Sequence, residues 1–582
     1  MATTRPHDVD GRRAGRTRRT SGRVGEPQQS ARLAIAHRTR VRRMRVHEKH
    51  LRPTSSGASG QGKVASDQQG LNGAESLVRS LAAAGVDTYF ANPGTTEMQL
   101  VAALDRIEGL RPVLCLFEGV ATGAADGYAR MTGRPAATLL HLGPGLANGL
   151  ANLHNARRAR SSIVNIVGDH ATYHRSLDAP LTSDIEGIAR PVSTFVRTVQ
   201  DVGAAGHDAV RAVAAARSAP GVATLILPAD LAWSSGAAVA NPSQPVAPRD
   251  VDPERIAATA AALRNAVHPA LLMSGTVLRR DSLTVAGRIA AATGARLYCD
   301  FFSPRLECGI GLVPVRRLPY SSEQVTEELH GTDVLVLIET DPPVAFFAYP
   351  GKPSELAPPQ TRLVRLAGPS ENGSAALAAL ADLMGVRAAA VRQSAGKSEL
   401  PKGALTPALA GAVIAALLPE SAIVVDEAVT SGMAVGPLCQ AAAPHVWLSH
   451  TGGALGLGLP MSVGAAIACP ERKTLCLVGD GSAMYTPQAL WTQAREGLNV
   501  VTIVFSNRAY AILNYELQRI AASGGPAARS MLDLTRPEIK FTDLARGMGV
   551  EASRVDTAEA FAVELRAALA APGPRLIELA LG

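Results

Sequence analysis

The chain has 582 residues, of which 47% are hydrophobic, 19% are charged and only 4% are aromatic. This composition is typical of a soluble, Ala- and Gly-rich α/β protein and excludes a chain that is disordered throughout. The length exceeds what a single hydrophobic core organises, so about three or four domains are expected. No run of about 18 uncharged apolar residues occurs, and the sequence therefore predicts no membrane span.

The formal net charge of +8 belongs to an N-terminal tail, residues 1–66. Its first 52 residues hold 14 Arg and one Lys against four acids, whereas the remaining 530 residues hold 43 basic and 46 acidic ones. The tail lacks periodicity and the apolar segment of a secretory signal, and its composition predicts disorder. Three interpretations stay open: sequence upstream of a true start at Met44, an arm that binds polyanions weakly, and a transit peptide, against which the four acids argue.

Six cysteines are scattered along the chain without CxxC spacing: Cys115, Cys299, Cys308, Cys439, Cys469 and Cys476. This pattern predicts buried thiols of a reducing compartment and excludes a disulfide framework and a zinc site. Together with the lack of a secretory signal, it predicts a cytoplasmic protein.

From about residue 70, short apolar strands alternate with helices, which predicts parallel sheets covered on both faces. In the first unit the predicted helices cover 72–84, a segment opening at Thr95 or Thr96, 119–131, and a segment opening at 143–145. The predicted strands of this unit cover 87–91, 112–117, 136–142 and 162–167.

Two polar breaks, at 233–253 and 392–402, divide the rest of the chain. They predict three doubly wound α/β domains at 67–235, 250–388 and 403–582. The predicted strands of the second unit are 270–273, 296–300, 333–338 and 362–366. Those of the third unit are 422–425, 473–478, 500–505 and 575–579.

A candidate diphosphate site follows the apolar run 473–478, which ends in Gly479-Asp480-Gly481-Ser482 before a predicted helix at 487–496. The carboxylate of Asp480 suits a metal ion, and Gly481 lets backbone N–H groups approach phosphate oxygens. The next strand ends at Asn507, 27 residues after Asp480, and consecutive parallel strands often lie side by side. Asn507 is therefore a second candidate oxygen ligand, and a backbone carbonyl near Ala509 is a third.

The segment 479–507 resembles the cofactor-binding motif of thiamine-diphosphate (ThDP) enzymes, and Thr451-Gly-Gly-Ala-Leu-Gly-Leu-Gly-Leu-Pro460 matches the same family. The resemblance implies that Asp480, Asn507 and the Ala509 carbonyl hold Mg²⁺ against the diphosphate. It implies the remaining cofactor contacts as follows: Leu455 bends the cofactor, the Gly453 carbonyl accepts from its aminopyrimidine, Thr430 touches the phosphates, and Gly481, Ser482 and Tyr510 add further contacts.

Glu118 follows the run 112–117, where an acid alone is unremarkable because it complements the dipole of a helix. The stretch Phe117-Glu118-Gly-Val-Ala-Thr-Gly-Ala-Ala-Asp126-Gly-Tyr128-Ala-Arg130, however, resembles the catalytic-glutamate segment of ThDP enzymes. In this family the carboxyl group, shielded from water, stabilises the imino tautomer that removes the thiazolium C2 proton, and the carbanion attacks a 2-oxo acid. The family architecture implies that Glu118 and Asp480 of different subunits share one site, in a homodimer or homotetramer.

The resemblance runs from about residue 70 to the C-terminus and points to the branch of acetolactate synthase large subunits and benzoylformate decarboxylases. His141, before Gly143-Pro-Gly145, stands where benzoylformate decarboxylases keep a proton-relay histidine. Thr95 matches the substrate-binding serine of these decarboxylases and keeps the hydroxyl. His170 follows a predicted strand end and is a third candidate for catalysis.

Three departures bear on the reaction. The turn Ser274-Gly-Thr276 is poorer in glycine than in flavin-containing acetolactate synthases, and the acidic segment of their middle domain is missing, so FAD is doubtful. The decarboxylases have a histidine about where Phe346 or Phe347 stands. The segment 508–520 lacks the Trp that lines the acceptor site of acetohydroxyacid synthases.

The sequence thus predicts ThDP- and Mg²⁺-dependent decarboxylation of a small 2-oxo acid, followed by carboligation as in acetolactate synthases of branched-chain amino acid biosynthesis. One alternative is a decarboxylase that releases an aldehyde without coupling it, as His141 suggests. A second alternative is a noncatalytic regulatory protein that keeps the fold, against which the presence of Glu118, Asp480 and Asn507 argues. A third alternative is a nucleic-acid-associated protein, which only the basic tail supports.

Overall fold

The computed structural model describes residues 70–218, 220–242, 247–396, 399–520 and 524–581. The predicted tail, residues 1–66, lies outside the described residues, together with the interpretations attached to it. The described chain contains three large sheets of six, five and seven strands and one small pair of strands. These sheets confirm the prediction of an α/β protein with three sheet units.

The first sheet has six parallel strands, and its central strands are buried on both faces. Buried Val, Ile, Leu and Ala side chains on both faces are what a helix-covered parallel sheet requires. In spatial order its strands are Arg111–Leu114, Thr88–Asn92, Ala136–Leu140, Ile163–Asp169, Val222–Pro228 and Phe195–Thr198. Its helices are Gly73–Ala83, Met98–Asp105, Glu118–Thr132, Leu142–Ala159, Ile185–Ala189, Ala205–Ser218 and Ala229–Trp233. The small antiparallel pair Leu71–Asn72 and Ser235–Ala237 joins the two ends of this unit.

The second sheet has five parallel strands with the order typical of nucleotide-binding folds. In spatial order the strands are Arg316–Arg317, Arg296–Cys299, Pro269–Met273, Val334–Ile338 and Arg362–Ala367. The helices around it are Pro253–Asn265, Arg280–Thr293, Ser322–Glu328 and Gly373–Leu383.

The third sheet has seven strands, six of them parallel to one another. In spatial order they are Leu306–Cys308, His445–Ser449, Ile423–Glu427, Thr474–Gly479, Val500–Ser506, Arg575–Ala580 and Glu551–Val555. The first of them is antiparallel and comes from the middle of the chain, so one strand of the central stretch completes the third sheet. The helices are Pro407–Leu417, Gly432–Cys439, Gly458–Ala468, Asp480–Ala483, Ala489–Arg495, Ala511–Arg519, Pro526–Ser530, Phe541–Gly547 and Ala558–Ala570.

Several predicted elements are confirmed with shifted ends, and some strands were missed. The strand predicted at 112–117 covers Arg111–Leu114, and Phe117, in an extended conformation, is the N-cap of the helix that begins at Glu118. The strand Glu551–Val555 lies at an edge of its sheet with polar side chains exposed, which weakens its apolar signal. The strand His445–Ser449 is buried throughout, but it was not predicted because its first and last residues are polar.

All six cysteines are free, and five of them are buried, as the sequence predicted. Within the described ranges, no helix is long and apolar enough to cross a bilayer.

The helices Glu118–Thr132 and Gly458–Ala468 cross at backbone contact and join the first and third units. A Cβ built on Gly123 would lie 2.6 Å from the Cβ of Pro460. A Cβ on Gly464 would overlap the carbonyl oxygen of Ala124, so this crossing tolerates no side chain at that position.

We therefore expect Gly464→Ala to destabilise the protein, by about 1–3 kcal/mol or more, since overpacking a close contact forces the backbones apart. The measurement is the fall in Tm by differential scanning fluorimetry. Gly547→Ala is the matched control, because Gly547 is also helical but a Cβ there would have no neighbour within 4 Å. Equal Tm values for the two variants would contradict the importance of this contact.

Candidate active site

The first sheet brings four predicted residues to one edge. Each follows the carboxyl end of one of four adjacent parallel strands, which the register Asn92–Leu140 and Leu140–Val167 keeps level. These residues are Thr95, Glu118, His141 and His170. The alternation of strands and helices therefore suffices to collect them, because the carboxyl ends of parallel strands meet at one edge.

Glu118 is the first residue of its helix and is only 7% exposed. Its carboxylate accepts a hydrogen bond of 3.0 Å from Nδ2 of Asn148. A Cβ on Gly145 would lie 3.0 Å from Oε1 of Glu118, so the glycine leaves room beside the carboxyl group. The side chain is thus sheltered from water, as predicted, and is oriented by a neutral amide rather than by a cation.

His141 faces a buried carboxylate that the sequence analysis missed. Its Nδ1 lies 2.8 Å from Oε2 of Glu97, a residue with no exposed surface. Glu97 also accepts from the backbone N–H of Gly94, at 2.8 Å, and from Oγ1 of Thr96, at 2.6 Å. A carboxylate at Nδ1 holds the ring proton there and leaves Nε2 free to exchange a proton with a ligand. The signal in the sequence was an acid that follows Asn92-Pro-Gly-Thr-Thr in an otherwise apolar region.

Thr95 and His170 lie at the same edge but are not connected to this pair. Thr95 is exposed, and its hydroxyl makes no hydrogen bond with the residues that the structure describes. Nε2 of His170 is buried without a partner there, and its ring packs 5.3 Å from that of His174. Both residues thus have side-chain polar atoms at the sheet edge that bond no described residue.

A second cluster lies at the carboxyl edge of the third sheet. Asp480 and Asn507 follow two paired strands, whose register aligns Gly479 with Phe505. Asp480 is 4% exposed, and burial raises the pKa of its carboxyl group. The backbone N–H groups of Arg508, at 2.5 Å, and Gly481, at 2.8 Å, donate to this carboxylate and oppose the rise.

The oxygen atoms of this cluster suit a hard cation. Oδ1 of Asn507 accepts from the backbone N–H of Ala509 at 3.0 Å, and the Ala509 carbonyl accepts no hydrogen bond from the described residues. One carboxylate, one amide and one free carbonyl are ligands that Mg²⁺ accepts, with water or phosphate oxygens completing the shell. No group of three or more His, Cys, Asp or Glu side chains is placed to hold a metal in the described part of the chain.

The surroundings of Asp480 contain the other predicted cofactor contacts. Gly481 and Ser482 are buried in the short helix Asp480–Ala483. The ring of Tyr510 lies against Gly481, where a Cβ would come 2.5 Å from Cε1. Thr430 lies in the turn after the neighbouring strand Ile423–Glu427, at the same edge of the sheet.

The loop 451–458 is held by side chains that sequence reasoning did not identify. Oδ1 of Asn155 accepts from the backbone N–H groups of Gly452, at 3.1 Å, and Ala454, at 3.2 Å, and its amide donates to the Ala454 carbonyl at 2.8 Å. Asn152 donates to the carbonyl of Gly456 at 3.0 Å. These asparagines belong to the first unit, so that unit shapes the loop of the third.

Glu427 holds the other side of this loop. It has no exposed surface and accepts the backbone N–H groups of Gly456, at 2.7 Å, Leu457, at 3.2 Å, and Gly458, at 2.7 Å. Burial raises the pKa of this carboxyl group to about 7, although the three donors oppose the rise. The same strand-end rule that identified Asp480 would have found Glu427 after the apolar run 422–425.

The loop carries two predicted cofactor contacts: the Gly453 carbonyl, predicted to accept from the aminopyrimidine, and Leu455, predicted to bend the cofactor. Gly453 has a φ of 72°, and its carbonyl is not bonded to any described donor. Leu455 is partly exposed. The ring of Phe346, from the central unit, lies over Gly453, where a Cβ would come 2.5 Å from Cζ. The carbonyl and the leucine are thus available to a ligand, with an aromatic wall beside them.

The amide of Asn152 bonds both the Gly119 carbonyl, at 2.8 Å, and the Gly456 carbonyl, at 3.0 Å, and so links the backbone beside Glu118 to the loop of the third unit. The side chains of Glu118 and His141 hydrogen-bond only inside the first unit, as far as the described residues show.

Family models match both clusters. Residues 71–188 match the model described as "Thiamine pyrophosphate enzyme, N-terminal TPP binding domain". Residues 428–579 match "Thiamine pyrophosphate enzyme, C-terminal TPP binding domain". Over 514 residues the chain is 52% identical to IlvX of Mycobacterium tuberculosis, a protein named after the acetolactate synthase large subunits; the match covers 88% of this chain and 99% of the relative.

The chain belongs to the thiamine pyrophosphate enzymes.

Other relatives of this enzyme come from the decarboxylase branch. It is 30% identical to benzoylformate decarboxylase of Pseudomonas aeruginosa over 85% of this chain and 96% of that protein. The solved structure of a thiamine diphosphate-dependent 4-hydroxybenzoylformate decarboxylase from Rhodococcus jostii RHA1 superposes with a TM-score of 0.76 at 25% identity, covering 88% and 99% of the two chains. Acetolactate synthases and benzoylformate decarboxylases are thus both its relatives, as the sequence motifs indicated.

We expect the stability contributed by Glu427 to depend on pH. Because its pKa is raised to about 7 in the folded protein, it binds a proton that the unfolded chain has lost above its ordinary pKa of 4.5. Stability therefore falls as pH rises from about 5 to 7. The Tm of the wild type minus that of Glu427→Gln, which cannot ionise, should decrease over this range. A difference that is constant between pH 5 and 7.5 would contradict the assignment.

Proposed function

We propose that this chain is a ThDP- and Mg²⁺-dependent enzyme that decarboxylates a 2-oxo acid. CO₂ leaves, His141 gives a proton to the carbon that carried it, and the product leaves as an aldehyde. The observation that carries the proposal is the pairing of His141 with the buried Glu97, 2.8 Å away, at the same sheet edge as Glu118. The sequence alone favoured carboligation over decarboxylation without coupling. The pairing of His141 with Glu97 makes decarboxylation without coupling the first candidate.

When bound, ThDP supplies a nucleophilic carbon and a sink for the electron pair that decarboxylation releases. Glu118 would hold a proton at its carboxyl group for the aminopyrimidine, which explains the need for a sheltered acid. Asn148 keeps that carboxyl group in place without adding charge.

The third-sheet cluster would hold the diphosphate end. Asp480, Asn507 and the Ala509 carbonyl would bind Mg²⁺, while Gly481 and Ser482 would direct backbone N–H groups at phosphate oxygens. Thr430 and Tyr510 would flank them. The Gly453 carbonyl and Leu455 would contact the aminopyrimidine.

We further propose that a complete site needs two copies of the chain, a dimer or tetramer. Glu118 would then serve the third-sheet cluster of the partner subunit. In support, the Glu118 carboxylate accepts its hydrogen bond from Asn148 of its own unit, and no donor of the described third unit bonds it.

The proposed proton route ends at Nε2 of His141. Glu97 keeps the ring proton on Nδ1, so Nε2 can give up and regain a second proton. Thr95, exposed beside this pair, would orient the carboxylate of the substrate through its hydroxyl. His170 is a further proton carrier in this proposal, supported by its unpartnered Nε2.

The second candidate function is carboligation, in which a second carbonyl compound takes the place of the proton. The 52% identity to IlvX, with its acetolactate synthase name, favours it.

The substrate side chain would be apolar. Phe346 lies over Gly453, and its ring packs 5.4 Å from Phe302, 5.7 Å from Tyr320 and 4.8 Å from Phe347. Phe346 and Phe347 are 45% and 52% exposed, so this wall has free aromatic surface. A 2-oxo acid with an aryl or bulky aliphatic group would bury that surface, with a gain of about 25 cal/mol per Å².

Product analysis by NMR tests the reaction. Protein with ThDP and Mg²⁺ is incubated separately with pyruvate, 2-oxobutanoate and benzoylformate. We expect aldehyde from the substrate with the largest apolar group, and no turnover by Glu118→Gln, which cannot donate or accept the required proton. Acetolactate from pyruvate would establish the second candidate instead, and an unchanged rate in Glu118→Gln would refute the role of this acid.

His141→Ala separates the two candidates. If His141 gives a proton to the decarboxylated carbon, aldehyde formation by His141→Ala should fall by about 10²–10⁴-fold relative to the wild type. His207→Ala is the matched control, since His207 is an exposed histidine on the helix Ala205–Ser218 of the same unit. Acetolactate formation at the wild-type rate in His141→Ala would argue that coupling, which needs no such proton, is the reaction.

A further inference from the structure

The central sheet has a crevice of the kind in which nucleotides bind. From Pro269–Met273 the chain first adds strands on one side and then returns to add Val334–Ile338 and Arg362–Ala367 on the other. The loops that follow Met273 and Ile338 therefore flank the point where the strand order reverses. In open α/β sheets, ligands bind at this point, and phosphates lie on backbone N–H groups at helix N-termini.

In this chain the carboxylate of Glu339 occupies that crevice. Its oxygen atoms accept from the backbone N–H of Thr276, at 2.6 Å, and from Oγ1 of Thr276, at 2.7 Å. They also accept from the backbone N–H of Gly373, at 3.1 Å, the first residue of the helix Gly373–Leu383. Glu339 is only 4% exposed.

The backbone is shaped around this carboxylate. Glu339 has a φ of 55°, in the left-handed region that favours glycine. A Cβ on Gly275 would overlap Oε2 of Glu339, and one on Gly373 would lie 2.6 Å from Oε1. Both neighbouring loops therefore carry glycine where the carboxylate needs space.

The first unit closes the crevice from outside. A guanidinium nitrogen of Arg160 donates to the carbonyl of Glu339 at 2.9 Å, and another lies 3.8 Å from Asp341. Burial raises the pKa of Glu339, whereas the three donors and the nearby charge of Arg160 favour the ionised form.

We propose that Glu339 is a built-in anion that takes the place of a nucleotide phosphate in the central crevice, so that this chain binds neither FAD nor another nucleoside diphosphate there. The N–H groups of Thr276 and Gly373 and the Thr276 hydroxyl, which a phosphate would use there, are already bonded to Glu339. A second anion would also meet the charge of the first at hydrogen-bond distance. FAD, which the resemblance to acetolactate synthases left doubtful, thus does not fit the residues present. This inference does not depend on which reaction the enzyme catalyses.

The decisive variant is Glu339→Gly, since glycine adopts a φ of 55° without strain and its substitution empties the anion position. Wild type and variant are titrated with inorganic pyrophosphate, FAD and ADP by thermal shift and equilibrium dialysis, with ThDP and Mg²⁺ saturating throughout. We expect no saturable binding of the three probes to the wild type up to millimolar concentrations. In the variant we expect a lower Tm that pyrophosphate restores, with an affinity at least tenfold above that of the wild type.

Glu371→Gly is the matched control. Glu371 also accepts a backbone N–H, that of Gly368 at 2.7 Å, near the same edge of the sheet, but its other partner is Arg255 at 2.6 Å rather than the crevice loops. This variant should lose stability without gaining affinity for pyrophosphate.

Two results would overturn the proposal: FAD or ADP bound to the wild type at a stoichiometric level, or a folded Glu339→Gly variant that gains no affinity for pyrophosphate. If Glu339→Gly does not fold, the wild-type titrations decide alone, because saturable binding of FAD or ADP refutes the proposal and its absence supports it. Loss of ThDP-dependent turnover would test the proposed function instead and would leave these titrations unaffected.

Discussion

The crossing of the helices Glu118–Thr132 and Gly458–Ala468 is the constraint on which the candidate site depends. The first helix begins with Glu118, and the second directly follows the loop 451–458. Because Gly123, Gly127 and Gly464 bring the two backbones into contact, side-chain rearrangement cannot change the distance between them. The position of the acid relative to the loop of its own chain is thus set by backbone packing, before any polar contact is made.

A buried ion pair on the same helix fixes the orientation of the units. The side chains of Asp126 and Arg130 are 0% and 2% exposed and lie 2.5 Å apart. The remaining donors of Arg130 bind the Ser449 carbonyl, at 2.6 Å, Oγ1 of Thr451, at 3.0 Å, and the Pro304 carbonyl, at 3.3 Å. One guanidinium therefore contacts all three sheet units. Removal of a buried partner of this kind typically costs about 3–5 kcal/mol, because the other charge stays buried and unpaired.

The sequence predicted those features that depend on neighbours along the chain. Strand–helix alternation located Asp480 and Asn507 on paired strands, and Glu118 and His141 at one sheet edge, because a parallel sheet sends every strand end to the same side. The resemblance supplied roles for these residues. It supplied no role for Glu97 or Asn155, whose partners His141 and Gly452 lie 44 and 297 residues away along the chain. It also supplied none for Glu427, which the strand-end rule alone would have found. The strand Leu306–Cys308 was not predicted either, because it pairs with a strand that begins more than 130 residues later.

Four buried carboxylates share one physical role. Glu97, Glu427, Asp480 and Glu339 each lie at or near the carboxyl end of a strand and accept backbone N–H groups from an adjoining loop. The carboxyl edge of a parallel sheet exposes such unpaired N–H groups, and each needs an acceptor. A carboxylate of the protein satisfies several at once and orders the loop without a ligand. Where its oxygen atoms and those beside it keep free positions, as at Asp480 and Asn507, the edge can bind a cation and phosphate. Where the carboxylate bonds donors of both neighbouring loops, as Glu339 does, the position of an anion is already filled, and the same chemistry that builds a binding site in one unit removes it in another.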